Sequence, residues 1–160
     1  MIAVGESLPE ARFLRIGAQG AEEVRLSERL AGRKVVIFAV PGAFTPTCDS
    51  AHLPSFIGNA AALRGKGVEE IICLSVNDAH VMRVWGETTG ATAAGITMLA
   101  DADAEFAKAV GLVYSAPAVG MFDRSRRYAM VVENGVVTDF ELDPPGQCSL
   151  STGEALLERL

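Results

Sequence analysis

The stretch that most constrains the fold of this chain is an apolar run of strand length followed at once by a helix start. Val35 to Val40 is apolar throughout, which is typical of a central strand covered on both faces. The run breaks at Pro41-Gly42. Thr45 and Pro46 then have the residue types of an N-cap and a first helical residue. The pattern therefore predicts that Cys48 occupies the third position of a helix, beside the end of a buried strand.

A thiol in the first turn of a helix has unusual surroundings. The first N–H groups lack intrahelical partners, and the peptide dipoles add roughly half a positive charge there. Such a position stabilises the thiolate, which is the nucleophilic form of cysteine. Asp49 is a carboxylate next to the sulfur and opposes this effect, so we expect an arginine from elsewhere in the chain to offset it. The alternative is a structural helix start in which Thr45 only caps and Cys48 only packs as a small hydrophobe.

The segment from Pro41 to Cys48, PGAFTPTC, resembles the peroxidatic-cysteine motif of the peroxiredoxins, specifically of their type-5 (type II) subgroup. The resemblance covers nearly the whole chain. It continues through His52-Leu53-Pro54, Cys73 to Asp78, Arg127 to Val132 and Gly135-Val136-Val137. It implies a thioredoxin-like fold and a thiol-dependent peroxidase that reduces hydrogen peroxide and small organic hydroperoxides, with no cofactor and no metal.

The same resemblance implies roles for individual residues. Cys48 matches the peroxidatic cysteine, and Arg127 matches the active-site arginine of the family. A guanidinium keeps its charge at any working pH, so it can hold a thiolate ionised and polarise a peroxide oxygen. The Thr45 hydroxyl is expected to assist, and Pro41 to shield the sulfur with a ring that offers no hydrogen-bond donor. The residues expected in the substrate pocket are Gly42, Phe44 and His52, the last as a packed or hydrogen-bonded histidine.

Two further cysteines leave the second step of the chemistry open. Cys148 follows a Pro-Pro-Gly-Gln loop and resembles the position of the resolving cysteine in some type-5 members. Cys73 lies in an apolar strand, where cysteine usually packs as a hydrophobe. A disulfide between Cys48 and Cys148, intrachain or across a dimer, is the expectation, and a one-cysteine mechanism is the alternative. The resemblance also implies thioredoxin, glutaredoxin or glutathione as the reductant, and a homodimer formed near the active-site loops.

Length and charge limit the possible classes of partner. The 160 residues fit one domain, residues 1–160, which is long enough to bury a single core. A net charge of −6 argues against binding to nucleic acid or to an anionic membrane, because both require a basic protein surface. The chain has no C-x-x-C and only two histidines, which leaves no zinc-site spacing. Met1 to Glu6 shows no signal-peptide pattern, so a cytoplasmic protein is expected.

The remaining segments predict an α/β fold with a mixed central sheet flanked by helices, plus an N-terminal β-hairpin. That hairpin is predicted from Arg12 to Ile16 and Glu23 to Leu26. A second hairpin, Arg126 to Glu133 with Val136 to Glu141, surrounds the turn signal Asn134-Gly135. The other predicted strands are 70–76 and 96–100, and the predicted helices are 27–30, 46–63, 79–88, 101 or 103 to 109, and 151–160. Pro54 is expected to kink the helix that begins at Pro46.

Two other functions are compatible with a reactive thiol. A peroxide-sensing relay protein would use the same Cys48 and pass its oxidation to a client protein. It would consume one equivalent of peroxide per chain, whereas an enzyme with a reductant consumes many. A disulfide reductase of the thioredoxin type is disfavoured, because the chain lacks a C-x-x-C motif.

Overall fold

A seven-stranded mixed sheet lies at the centre of the computed structural model, which describes all 160 residues. The strands of the chain are β1 (Arg12–Gly17), β2 (Gly20–Arg25), β3 (Lys34–Val40), β4 (Glu70–Ser75), β5 (Ile96–Ala100), β6 (Val113–Ala116), β7 (Met121–Ser125), β8 (Tyr128–Glu133) and β9 (Val136–Leu142). The central sheet has the order β2-β1-β5-β4-β3-β8-β9, and β6 pairs separately with β7. β4 is parallel to β3 and β5, and the other neighbours are antiparallel. The predicted thioredoxin-like α/β fold with a mixed sheet and an N-terminal hairpin is confirmed.

Helices cover both faces of this sheet. They are α1 (Leu26–Leu30), α2 (Leu53–Gly65), α3 (Ala79–Thr89), α4 (Glu105–Ala109) and α5 (Gly153–Arg159). Alternate residues of β3 enter two different cores. The even-numbered residues Val36 to Val40 pack with α2 and α3, and the odd-numbered residues Val35 to Ala39 pack with α1 and α4. Because both faces of β3 are covered, its residues from Val35 to Val40 are all apolar. None of the helices has the length and apolar character needed to cross a membrane.

Two strand predictions need correction, and one hairpin was missed. β2 begins at Gly20 and not at Glu23, because its first residues are exposed and give no apolar signal. The β6–β7 hairpin was not predicted, since nearly all of its side chains are exposed or half-buried and its sequence shows no apolar run. β8 begins at Tyr128 and not at Arg126. Arg126 and Arg127 therefore lie in the link between β7 and β8.

The predicted disturbance around Pro54 takes the form of a π-helical turn at Cys48–His52, which leads directly into α2. Pro54 has no N–H, so the carbonyl of Ser50 cannot receive a bond from the residue four positions later. The N–H of Leu53 donates to the carbonyl of Cys48, five residues earlier. The widened turn has Cys48 and His52 at its two ends.

Candidate active site

The register of the sheet brings Arg127 to Cys48. β8 pairs with β3 so that Tyr128 is opposite Ala39, and Arg127 therefore reaches the end of β3, where the chain turns toward Cys48. The Arg127 guanidinium donates a hydrogen bond from Nη2 to Sγ of Cys48 at 3.1 Å. Both side chains are buried, with only 1% of Cys48 exposed. The expected arginine and the thiol in the first turn of the helix thus form one contact.

His52 holds the other side of the guanidinium. Burial, and then the charge of Arg127, lower the pKa of His52 to about 3, so the imidazole is neutral at ordinary pH. Nε2 donates to the carbonyl of Ser151 at 2.9 Å, which leaves Nδ1 to accept from Arg127 Nη1 at 3.0 Å. His52 is therefore a hydrogen-bonded histidine that orients Arg127, and it is fully buried behind it.

Thr45 differs from the prediction in one respect. Its hydroxyl donates to the carbonyl of Gly42 at 2.6 Å, and it forms no side-chain cap with the helix. The helix still starts here, because the Thr45 carbonyl accepts from the N–H of Asp49 at 2.8 Å. With its proton given to Gly42, the Thr45 oxygen keeps lone pairs that can accept a further hydrogen bond.

The carboxylate of Asp49 is bound to a partner that the sequence analysis missed. Trp85, which is fully buried in α3, donates from Nε1 to Asp49 Oδ1 at 2.8 Å. This bond fixes the position of the only acidic side chain adjacent to Cys48. No local signal connects the two residues, because they lie 36 positions apart.

A cavity of about 200 Å³ lies over this site. Residues of four segments line it: Pro41, Thr45, Pro46, Thr47, Tyr114, Met121, Arg126, Arg127, Asp143, Pro144, Pro145 and Gly146. Cys48 is not among the lining residues, but its sulfur contacts Arg127, which is. Pro41 and Thr45 both line the cavity beside the arginine that contacts the sulfur.

The three residues predicted in the substrate pocket lie outside this cavity. Phe44 is 51% exposed, and its ring packs against Trp85 with centroids 6.2 Å apart. Its backbone adopts a positive φ of 63°, which is uncommon for a residue other than glycine. Gly42 lies behind Thr45 and supplies only a carbonyl, and His52 lies behind Arg127. Gly42 and His52 are therefore hydrogen-bonded to the lining residues Thr45 and Arg127.

The two other thiols have different surroundings. Cys73 is fully buried in β4, and burial raises its pKa well above that of a free cysteine. Cys148 is half-buried in the loop between β9 and α5, and burial, against the charge of Arg127, raises its pKa to about 11. All three cysteines are free. No three His, Cys, Asp or Glu side chains lie close enough together to hold a metal ion.

This arrangement can perform nucleophilic chemistry on a small polar molecule. A guanidinium stabilises the ionised form of the sulfur it touches, and its remaining N–H groups can donate to an oxygen that gains charge. The site is buried and lies beside a cavity of small volume, so water is largely excluded from the sulfur.

Known proteins resemble this chain along its length. A family model described as Redoxin matches residues 3–157. A curated relative, Peroxiredoxin-2E-2, chloroplastic, from Oryza sativa subsp. japonica, is 44% identical over 99% of this chain and 72% of its own length. The crystal structure of reduced Prx3 in complex with H2O2 from Vibrio vulnificus has a TM-score of 0.94 at 46% identity, covering 99% of both chains. Peroxiredoxin 5 from Alvinella pompejana has a TM-score of 0.85 at 30% identity, covering 99% of this chain and 97% of that one.

Proposed function

The chain belongs to the Redoxin family and is a peroxiredoxin, a thiol-dependent peroxidase, and we propose that its Cys48 is the thiol that reacts with peroxide. The observation that carries this proposal is the 3.1 Å hydrogen bond from Arg127 to the buried Cys48 sulfur. A cation in contact with the sulfur favours the thiolate, which is the attacking form. Cys73 and Cys148 have no such contact, and burial raises the pKa of each of them.

The first step is a displacement at oxygen. The Cys48 thiolate attacks the terminal oxygen of a hydroperoxide, so that an S–O bond forms while the O–O bond breaks. The sulfur loses two electrons and becomes a sulfenic acid, and the leaving oxygen takes a proton and departs as water or an alcohol. Arg127 donates to the oxygens that carry charge in the transition state, and the Thr45 oxygen accepts from the peroxide O–H.

In the second step Cys148 is the proposed resolving thiol. It attacks the sulfenic sulfur of Cys48, a disulfide forms, and water leaves. Its half-buried loop position supports this role, whereas Cys73 is enclosed in the middle of β4 and would need local unfolding to reach Cys48. An external thiol of the thioredoxin, glutaredoxin or glutathione type then reduces the disulfide with two electrons.

The proposed substrates are hydrogen peroxide and small organic hydroperoxides. The cavity volume suits small molecules, and the solved relative from Vibrio vulnificus is described in complex with H2O2.

A homodimer near the active-site loops is also proposed. Val119 and Phe122, at the β6–β7 hairpin beside the cavity, are exposed apolar side chains that a second copy would cover. The cytoplasmic location stays a prediction.

A multi-turnover assay tests the function. With a thioredoxin reducing system, the wild-type chain should consume many equivalents of hydrogen peroxide per chain. Cys48→Ser should consume none, because a hydroxyl is not appreciably ionised near neutral pH, and Cys73→Ala is the matched control that should retain the rate. Consumption of only one equivalent per wild-type chain, with several thiol donors tried, would identify a redox sensor and contradict the proposal.

A further inference from the structure

Asp143 is a buried carboxylate that the mechanism above does not use. It directly follows β9, and 1% of it is exposed. Its two oxygens accept hydrogen bonds from the backbone N–H groups of Ser149, Leu150 and Ser151, at distances of 2.9 to 3.2 Å. The hydroxyls of Ser149 and Ser151 also donate to it, at 3.2 and 2.6 Å. The loop 144–151 therefore folds around one carboxylate.

These donors hold the carboxylate in its ionised form. Burial opposes ionisation, but the Ser151 hydroxyl and the N–H groups of Leu150, Ser151 and Ser149 outweigh burial and lower the pKa of Asp143. All the donors in the loop come from three consecutive residues. An uncharged side chain of the same size would bind them more weakly, because hydrogen bonds to a charged acceptor are the stronger kind.

Two connections run from Asp143 to the active-site arginine. The first is a backbone bond, in which the N–H of Asp143 donates to the carbonyl of Arg127 at 3.0 Å. The second passes through Ser151, whose carbonyl accepts from Nε2 of His52 at 2.9 Å. Nδ1 of His52 accepts from Arg127 at 3.0 Å, and Arg127 contacts the sulfur of Cys48 at 3.1 Å. Asp143 fixes Ser151, and Ser151 thereby fixes the orientation of the imidazole that holds the guanidinium.

The same carboxylate restrains Cys148. This cysteine directly precedes Ser149, the first of the three residues bound to Asp143, and so it lies inside the closed loop. Its thiol is half-buried there. If Cys148 moves toward the sulfur of Cys48, the hydrogen bonds between Ser149 and Asp143 must stretch or break.

We propose that Asp143 is a positioning residue with opposite effects on the two steps of the cycle, an inference that rests on the proposed roles of Cys48 and Cys148. It speeds the reaction with peroxide, because it aims Arg127 at the sulfur through Ser151 and His52. It slows the resolving step, because it keeps Cys148 in the closed loop. Replacing a carboxylate that only stabilised the fold would expose the buried Cys73 together with Cys148, whereas replacing a positioning residue exposes Cys148 alone.

The test is Asp143→Asn, measured separately for each step. For the first step, the substitution is made in a Cys148→Ser protein, and the rate of reaction with hydrogen peroxide is measured by competition with a haem peroxidase. We expect a rate at least about tenfold lower, because a misplaced guanidinium costs catalysis. Removal of a negative charge near Cys48 would by itself favour the thiolate, so a slower reaction reports the loss of positioning.

For the second step, Asp143→Asn is made in a Cys48→Ser protein, and the labelling of Cys148 by iodoacetamide is followed by mass spectrometry. We expect labelling at least about tenfold faster than in the parent, because the loop opens more often. Loss of the Asp143 charge would by itself favour the Cys148 thiolate, so Ser151→Ala, which keeps that charge, should also speed the labelling if the loop opens. Cys73 is an internal monitor, since it is buried in β4 and is labelled only when the sheet opens. Glu141→Gln, near the end of β9, is the matched control. Glu141 lies two residues before Asp143, takes part in no side-chain hydrogen bond or ion pair, and should change neither rate.

The outcomes separate this inference from the proposed function. If the Cys148→Ser parent does not react with peroxide, the assignment of Cys48 is wrong. If the parent reacts and Asp143→Asn leaves its rate unchanged, or leaves the labelling of Cys148 unchanged, the inference about Asp143 is overturned. Labelling of Cys73 in step with Cys148 would also overturn it, because Asp143 would then only hold the fold together. Should Asp143→Asn fail to fold, Ser151→Ala removes the 2.6 Å bond alone and should move both rates in the same directions by less.

Discussion

Cys48 and Cys73 are buried to the same degree and belong to the same apolar core, but their chemical surroundings differ. Cys73 lies inside β4, opposite Phe38 of β3 and Met98 of β5, with no polar partner. Burial raises its pKa well above the usual value, and the charge of Cys48 adds to the rise. Such a thiol stays protonated and inert. Cys48 differs because a guanidinium contacts its sulfur.

The comparison teaches that position along the sheet decides the reactivity of a buried thiol in this fold. In the middle of β4, Cys73 lies between Phe38 and Met98 of the neighbouring strands, and no cation contacts its sulfur. At the end of β3 the chain breaks at Pro41 and turns into a helix, which leaves room for a side chain from the neighbouring strand. Arg127 precedes β8, which pairs with β3, and so it enters that space.

The largest expected effect on the peroxide rate comes from removing the Arg127 guanidinium, which contacts Cys48 and has no equivalent at Cys73. Arg127→Gln leaves Cys48 buried without a cation, as Cys73 is, and should slow its reaction with hydrogen peroxide by roughly 10² to 10³-fold. Arg124→Gln is the matched control, because Arg124 forms no ion pair and does not line the cavity. An unchanged rate in Arg127→Gln would show that burial and the helix start suffice.

The second test concerns His52, the titratable side chain that is hydrogen-bonded to Arg127, and measures how stability depends on pH. The pKa of His52 is about 3 in the folded chain and about 6.5 when unfolded. Between these values the unfolded chain binds one more proton, so the contribution of His52 to stability is complete above about pH 6.5 and is lost as the pH falls toward 3. The free energy of unfolding should fall by up to about 1.4 kcal/mol per pH unit in this window.

Urea unfolding at a series of pH values measures this dependence. His52→Asn should lose most of it between about pH 6.5 and 4.5, where few carboxylates titrate. His80→Asn should keep it, because His80 is exposed. Equal pH dependence in the two variants would mean that His52 is protonated in the folded chain, and the neutral imidazole that holds Arg127 would then be wrong.

A smaller effect on the peroxide rate is expected from replacing Thr45, which lies in the segment before Cys48 and lines the cavity. Thr45→Val should reduce the peroxide rate by roughly tenfold, equivalent to about 1.4 kcal/mol, if the hydroxyl accepts from the substrate. Stability should change by about 1 kcal/mol or less, because the hydroxyl bonds one carbonyl and forms no helix cap. Thr45→Ser keeps the hydroxyl and should keep most of the rate. A large fall in melting temperature with a normal rate would assign Thr45 a structural role only.

Sequence patterns predicted the features around Cys48 that depend on neighbouring residues in the chain. The apolar run of β3 and the breaker at Pro41 are visible as residue types, and so is the turn at Asn134-Gly135 that sets the β8–β9 hairpin. The match of Arg127 to a family segment supplied the cation, because composition alone could not distinguish it from Arg124 and Arg126. Once β8 pairs with β3, the contact with Cys48 follows.

Contacts between distant segments could not be predicted. Trp85 donates to Asp49, and Ser151 donates to Asp143. Both contacts depend on the tertiary packing of segments that are distant in sequence, or on the conformation of a loop. Phe44 is predicted in the substrate pocket because it belongs to the motif, but its side chain is half exposed and packs against Trp85. The β6–β7 hairpin that lines one side of the cavity lacks an apolar pattern, since it packs on little of the core.

The most direct test of the account is to locate the sulfenic acid. The Cys148→Ser protein is given one equivalent of hydrogen peroxide, trapped with dimedone and mapped by mass spectrometry. Removal of Cys148 prevents the sulfenic acid from being consumed by disulfide formation. The account predicts a dimedone adduct on Cys48 and an unmodified Cys73. An adduct on Cys73, or recovery of Cys48 as the free thiol after the peroxide has been consumed, would contradict it.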